Sequence, residues 1–257
     1  MNTQIFDSRN LAWDLTVSAS KNANKLITLG NKPNGDPIPQ IGLNAVTQQL
    51  AGYPLYSQWS RPFTYPKTDA DGILATADVS VDTTWRFKGY SQARDEISIT
   101  NGFEVLNRRL RITALADFKS GAVVLNNEEA FLCQQSVGCP YISQYSTTGG
   151  FPSLENQARA LAYRDKGTLN TAWGFLETLQ FWRLREISAA WNMPDRWATS
   201  VFRSAGATVN VAVRNIKVWT NWTGVDPEAN YSQGDTQQTL LTAGPPRYVN
   251  VRINLRY

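Results

Sequence analysis

Apolar and polar residues alternate with a period of two along many stretches of this chain. The cleanest stretch is its end. Val249, Val251, Ile253, Leu255 and Tyr257 fall on one side; Tyr248, Asn250, Arg252, Asn254 and Arg256 fall on the other. Successive side chains of a strand point to opposite faces, so residues 247–257 are predicted to form a strand with one apolar and one polar face. Leu11, Trp13, Leu15, Val17 and Ala19 alternate in the same way, as do Ile97, Ile99, Phe103 and Val105. So do Leu110, Ile112, Ala114, Ala116 and Phe118, with Leu115 as the exception. Val209, Val211 and Val213 alternate before the phase slips, and 181–193 slips around Arg185 and Glu186. A bulge near Asn215 is expected to return Ile216 and Val218 to the apolar face. A short strand near Thr3 to Phe6 brings the total to about seven.

The connections between these strands alternate in length. Residues 6–10 and 106–108 are short, 194–205 is moderate with a turn of helix expected after Asp195, and 21–94, 121–180 and 220–246 are long. Short turns at one end and long loops at the other are the rhythm of outer-membrane barrels; soluble sandwiches rarely segregate loop length so strictly. Within the second long connection, Ser153 to Gly167 is predicted to be a helix, capped by Ser153 and ended by Gly167. It reads as loop decoration.

Composition sharpens this picture. Hydrophobic residues make up 42%, and no run approaches the roughly 18 apolar residues a helical span needs. Alternating strands hide their apolar half in such averages, so a membrane barrel stays open. The nine Trp and ten Tyr suit either ordinary packing or interfacial girdles. The chain has no His, which removes Ser–His–Asp chemistry and most zinc hydrolysis. The net charge of +4 is mild and its cations are scattered among acids, so nucleic acid is not an expected partner. Cys133 and Cys139 stand close together in an otherwise thiol-free chain, which points to a small disulfide ring in an oxidising compartment. Met1 is followed by Asn2-Thr3-Gln4, with neither the basic region nor the apolar run of a signal peptide.

Several motifs then converge on one family. Phe181-Trp182-Arg183-Leu184-Arg185-Glu186-Ile187-Ser188 resembles the F-x-R-L-R-E-(V/L/I)-S signature of TonB-dependent outer-membrane receptors of the SusC/RagA-like branch. Met193-Pro194 stands where that family places Leu-Pro at a periplasmic turn. Val213-Arg214-Asn215-Ile216 is similar to its A-x-R-N-L element, and Thr223 to Glu228 (TGVDPE) resembles its x-D-P-E loop. Asp71-Gly72-Ile73 with Asp78 resembles a D-G-x-I-x-x-x-D loop, and Pro246-Arg247-Tyr248 with the closing strand resembles the terminal β-signal. The motifs run in family order over essentially the whole chain.

The resemblance implies an all-β fold: an antiparallel transmembrane β-barrel fragment, about seven strands of a larger 22-stranded barrel, with long external loops. Residues 1–257 would be the C-terminal portion of the receptor barrel, with the plug domain and signal peptide absent. It further implies a nutrient transporter of the Gram-negative outer membrane, not an enzyme, that takes up glycans or peptides. Its partners would be the remainder of the barrel and plug, the TonB complex and a SusD-like surface lipoprotein. Val249, Val251, Ile253, Leu255 and Tyr257 would then be the barrel-assembly signal. Seven strands alone leave two open edges and should not make a working pore.

Metal chemistry has one candidate. With Gly72 at the sharp turn of a calcium loop, Asp69, Asp71 and Asp78 take positions three, five and twelve. Lys67 takes position one, where an acid is expected, which weakens the site; otherwise no cofactor is expected. Trp173, Trp219, Trp222 and Tyr231 are candidates either for stacking on sugar rings or for the upper girdle. The rival reading is a secreted β-sandwich carbohydrate-binding module, which would be soluble and monomeric without detergent.

Overall fold

A computed structural model describes residues 1–135, 139, 141, 151–229, 238–240 and 242–257. In chain order the strands are β1 (Asn2–Asp7), β2 (Ala12–Lys21), β3 (Gln40–Gly42), β4 (Thr47–Leu50), β5 (Ser57–Ser60), β6 (Phe63–Thr64) and β7 (Ser80–Val81). They continue as β8 (Arg86–Gly89), β9 (Asp95–Val105), β10 (Leu110–Asn126), β11 (Leu176–Asn192), β12 (Gly206–Thr220), β13 (Gln238–Thr239) and β14 (Tyr248–Arg256). Helices α1 (Asn127–Gln134), α2 (Leu154–Arg164) and α3 (Asp195–Phe202) lie between strands. One antiparallel wall runs β1-β2-β9-β10-β11-β12-β14, with short β13 beside the end of β10. The wall does not close: β1 and β14 are its free edges.

Register shows how the alternation sorts the faces. Phe6, Trp13, Phe103, Ile112, Ala189, Val211 and Val251 stand opposite one another from strand to strand, one apolar row across the whole wall. The next row, on the other face, reads Gln4, Asp14, Gly102, Thr113, Ser188, Ala212 and Asn250. Directly opposed residues share a face, so the first surface is apolar and the second polar or small. From the Leu110 level to the Phe118 level is roughly 27 Å of strand, or about 20 Å of height at a tilt near 40°. Aromatic pairs mark both limits: Trp191 with Trp197 at the lower, Phe118 with Trp182 at the upper.

The short turns form as read. In the β9–β10 turn, Leu106, Asn107 and Arg108 all take positive φ, the left-handed conformation that tight hairpins demand. α3 follows Pro194 and ends on Arg203 in the same left-handed region. The phase slips fall where the sequence places them, around Arg185 and near Asn215, but the second has a different consequence from the one expected. Leu115 and Ala116 of β10 face Glu186 and Leu184, so Arg185 is an extra residue in β11. In β12, Asn215 and Ile216 together stand against Arg185, and Asn215 takes φ 53°. Arg214 and Lys217 are an odd number apart, so β12 keeps its phase. Lys217 and Trp219 therefore lie beside Leu184 and Trp182, and Val218 lies beside Arg183. The expected return of Ile216 and Val218 to the apolar face does not occur.

β10 and β11 also run further than their alternation showed, into the two connections read as loops. The top of β10, Ala122-Val123-Val124-Leu125, is buried throughout. A strand covered on both faces reads as a continuous apolar run and loses its period. Its cover comes from the long connections. β3-β4-β5-β8 form a second sheet, β6 pairs with β7, and α1 and α2 pack alongside. Val46, Val123, Leu125, Ala130, Ala160 and Phe175 share one core; Leu74, Val79, Ala158 and Leu161 share another. Gly89 lets β8 approach β10, since a Cβ there would sit 2.4 Å from Val123 Cγ2. α2 is capped by Ser153, whose Oγ accepts from Asn156 N–H, but it ends at Arg164; Gly167 opens a following 3-10 turn. No described helix is long and apolar enough to cross a membrane, which says nothing of crossing by strands.

Candidate functional site

The polar face of the wall carries paired charge. Arg111 reaches Asp14 at 2.9 Å and Glu104 at 3.0 Å, closing β2, β9 and β10 together. Gly102 leaves room for this, because a Cβ would lie 2.4 Å from the Arg111 guanidinium and 2.6 Å from the Asp14 carboxylate. Arg214 bonds Glu186 at 2.5 Å. Arg109, Arg252 and Arg256 have no carboxylate partner among the described residues.

The densest cluster joins two motifs that the sequence holds 43 residues apart. Arg183 and Arg185 project from β11; Asp226 and Glu228 come from the loop after β12. Arg183 is buried and reaches Asp226 at 2.5 Å, and its Nε lies 2.9 Å from Glu228, off the hydrogen-bond line. Arg185, displaced by the bulge, bonds Asp117 at 2.6 Å and Glu228 at 2.5 Å. Asp226 Oδ1 also accepts from Glu228 N–H, which fixes the turn around Pro227. Charges taken from water need such mutual satisfaction. The loop is thereby folded down onto the wall, and Trp222 is buried beside Ala122, Val124, Leu179 and Phe181. This removes Trp222 as a candidate for stacking on a sugar: its ring is covered. Trp219 is half exposed, with Lys217 Nζ 5.3 Å from its ring, and Trp173 carries Lys88 Nζ at 4.0 Å. Burial pushes the Lys88 ammonium down from its ordinary value, against the pull of Glu155. Tyr231 lies outside the described residues.

A second network ties α1, α2 and β11. Arg159 reaches Glu129 at 2.9 Å and Glu177 at 3.0 Å, and Tyr141 donates to Glu129 at 2.6 Å. Burial first, and next that hydrogen bond, push the Tyr141 phenol well above its ordinary value. Cys133 and Cys139 form a disulfide, both buried in the same core.

Asp69, Asp71 and Asp78 hold backbone. Asp69 accepts from Asp71 N–H, Asp71 from Ile73 N–H, and Asp78 from Ala75 N–H. No group of three metal-holding residues occurs among the described residues. The loop is pinned instead by α2: Gln157, buried, donates to Gly72 O and accepts from Leu74 N–H. The helix read as decoration holds this turn, and no periodicity could have announced that contact. Val249, Val251, Ile253, Leu255 and Tyr257 lie along exposed edge strand β14, with Tyr257 just past its end.

Faces, register and internal ion pairs together define an open antiparallel wall of seven strands, apolar on one face and polar or small on the other. No family model matches the sequence, and no curated protein matches it. Solved structures do. The RagAB peptide importer in its open-open state aligns with 100% of this chain and 28% of its own, at TM-score 0.66 and 16% identity. The RagAB peptide transporter aligns over 99% and 28%, at TM-score 0.63 and 16% identity. The closed-closed state aligns over 99% and 28%, at TM-score 0.61 and 16% identity. The chain thus spans a little over a quarter of the chains it matches, and at this identity the likeness is one of fold.

Proposed function

We propose that this chain is the C-terminal wall of a TonB-dependent, SusC-like importer in the outer membrane of a Gram-negative type cell. It takes part in uptake of large nutrients, glycans or peptides, without catalysis. The remainder of the barrel and a plug complete it across the open edges of β1 and β14, TonB energises it, and a SusD-like lipoprotein lids it. The observation that carries this reading is the uncovered apolar face. Phe103, Ile112, Val211, Val251 and Ile253 are each between 37% and 63% exposed on one continuous surface seven strands wide. A soluble sandwich packs a second sheet over such a face, and soluble monomers rarely expose a patch of this breadth. A fold shared with a peptide importer supports the same reading.

The test is quenching by lipid. The chain is refolded into vesicles containing lipids brominated along their acyl chains, and tryptophan emission is read. Trp13, Trp182, Trp191 and Trp219 lie on the apolar rows and should be quenched. A chain that is monomeric in detergent-free buffer and escapes quenching would be the rival carbohydrate-binding module.

A further inference from the structure

α3 joins β11 to β12 at the lower rim of the wall, and half of its apolar surface is bare. At 3.6 residues per turn Trp197, Val201, Ala198 and Phe202 make one continuous arc; Asp195, Thr199, Arg196 and Ser200 make the other. The inner half of the apolar arc is occupied: α3 packs against β12, Ala198 is fully buried and Phe202 is half-buried. The outer half is not. Trp197 is 47% exposed and Val201, one turn further on, 64%. Two observations place that bare half on the apolar side of the wall. The Trp197 ring meets Trp191 edge-on at 5.8 Å, and Trp191 stands between Leu110 and Val209 in the apolar register. Ala207, on the same face of β12, is buried, while Val209 and Val211 above it are not.

The turns at this rim are also basic. Residues 7–10, 106–109 and 193–205 hold Arg9, Arg108, Arg109, Arg196 and Arg203 against two acids, Asp7 and Asp195. Arg108 takes Asp7. The guanidinium groups of Arg196 and Arg203 are exposed, with no ion-pair partner among the described residues. We propose that α3 is an interfacial helix that binds anionic phospholipid of the periplasmic leaflet. Trp197 and Val201 enter the boundary between headgroups and acyl chains, while Arg196 and Arg203 answer headgroup phosphates from either end of the helix. An indole suits that depth, with an apolar body and a polar N–H. Such helices bind through buried apolar area together with attraction to anionic lipid, and α3 supplies both. A lipid occupant is favoured over a protein because the bare arc is continuous, through Trp191, with the uncovered apolar face. The inference rests on the membrane reading and adds to it a leaflet, a depth and a headgroup charge.

The test uses the full chain refolded into vesicles of phosphatidylcholine and phosphatidylglycerol, with only one of the two lipids brominated along its acyl chains. Emission of Trp197 is read as the difference between the parent and Trp197→Phe, which keeps a ring against Trp191. Bromines near the headgroup should quench it more than bromines near the chain ends. Brominated phosphatidylglycerol should quench it at roughly fivefold lower content than brominated phosphatidylcholine, the scale of one arginine at an anionic surface. Arg196→Gln combined with Arg203→Asn should remove that preference, asparagine being suited to the left-handed backbone at 203. The unfolding midpoint in detergent should stay where it was, because both side chains are exposed. Salt at about 1 M should remove the preference in the parent. Trp197 left unquenched while the other tryptophans are quenched would put α3 in water or against a protein, and overturns the proposal. Equal quenching by the two lipids, or a preference that survives the double substitution, overturns it too. Loss of quenching at every tryptophan would instead defeat the membrane reading itself.

Discussion

An arginine placed at Val211 tests the assignment of faces most directly. Val211 lies sixth in β12, between Ala189 and Val251, in the apolar row that crosses the wall. Ala212 is its neighbour in sequence, between Ser188 and Asn250 on the polar face. The two positions share depth, strand and backbone pairing, and differ only in which way they point. A guanidinium on the lipid face costs about 2–4 kcal/mol at the bilayer midplane and about 0–1 near the interfaces, so at Val211, one row above the lower aromatic limit, it should cost about 1–2 kcal/mol. At about 1.4 kcal/mol per tenfold, Val211→Arg should shift the folding equilibrium roughly 5- to 30-fold. Ala212→Arg meets water and hydroxyl or amide neighbours, and should cost under about 1 kcal/mol. Urea unfolding from vesicles, followed by tryptophan emission, measures both. Equal costs, or a larger cost at Ala212, would refute the lipid face and with it the barrel.

Arg183→Met strands Asp226 in a buried site, and breaking such a pair costs about 3–5 kcal/mol; the loop 221–229 should become cleavable by protease while the wall remains intact, and an uncleaved loop would show that the pair does not hold it. Reducing the Cys133–Cys139 disulfide, whose ring is small, should cost only about 2 kcal/mol; a thermal scan with and without reductant checks this, and no change would mean that the surrounding core alone holds α1. The Tyr141 phenol is raised by burial, so its contribution is fully present below its ordinary value of 10.0 and is lost as pH climbs through the higher folded value. Burial raises the Tyr163 phenol as well, so tyrosinate absorbance should show a late-titrating component that shrinks but persists in Tyr141→Phe, and no change in that variant would contradict the network. Gly89→Ala overpacks β8 against Val123 and should cost about 1–3 kcal/mol by chemical denaturation, with retention of full stability as the contrary result.

All seven wall strands were legible because their two faces differ, one apolar and the other polar or small. Val249 to Tyr257 alternate for that reason, and so do Leu11 to Ala19. The tops of β10 and β11 were illegible for the converse reason. Ala122 to Leu125 meet protein on both sides, and a strand with two apolar faces has no period to read. The second sheet was missed on similar grounds: β4 and β5 bury polar residues such as Thr47, Ser57, Gln58 and Ser60. Those side chains gain hydrogen-bond partners only once the tertiary fold is in place.

The slip in phase was visible, but its consequence was not. A bulge switches the faces of the strand that carries the odd residue, and sequence alone does not say which strand that is. Here one extra residue in β11 stands against two in β12, so β11 changes phase and β12 does not. That bookkeeping brings Arg183 and Arg185 together on the polar side, where simple alternation would have separated Arg185 from Asp117. The loop carrying Asp226 and Glu228 then supplies the two carboxylates that this doubled cation demands. An irregularity in one strand and an acidic turn over forty residues away are thus two halves of one electrostatic requirement. Neither half explains itself without the other.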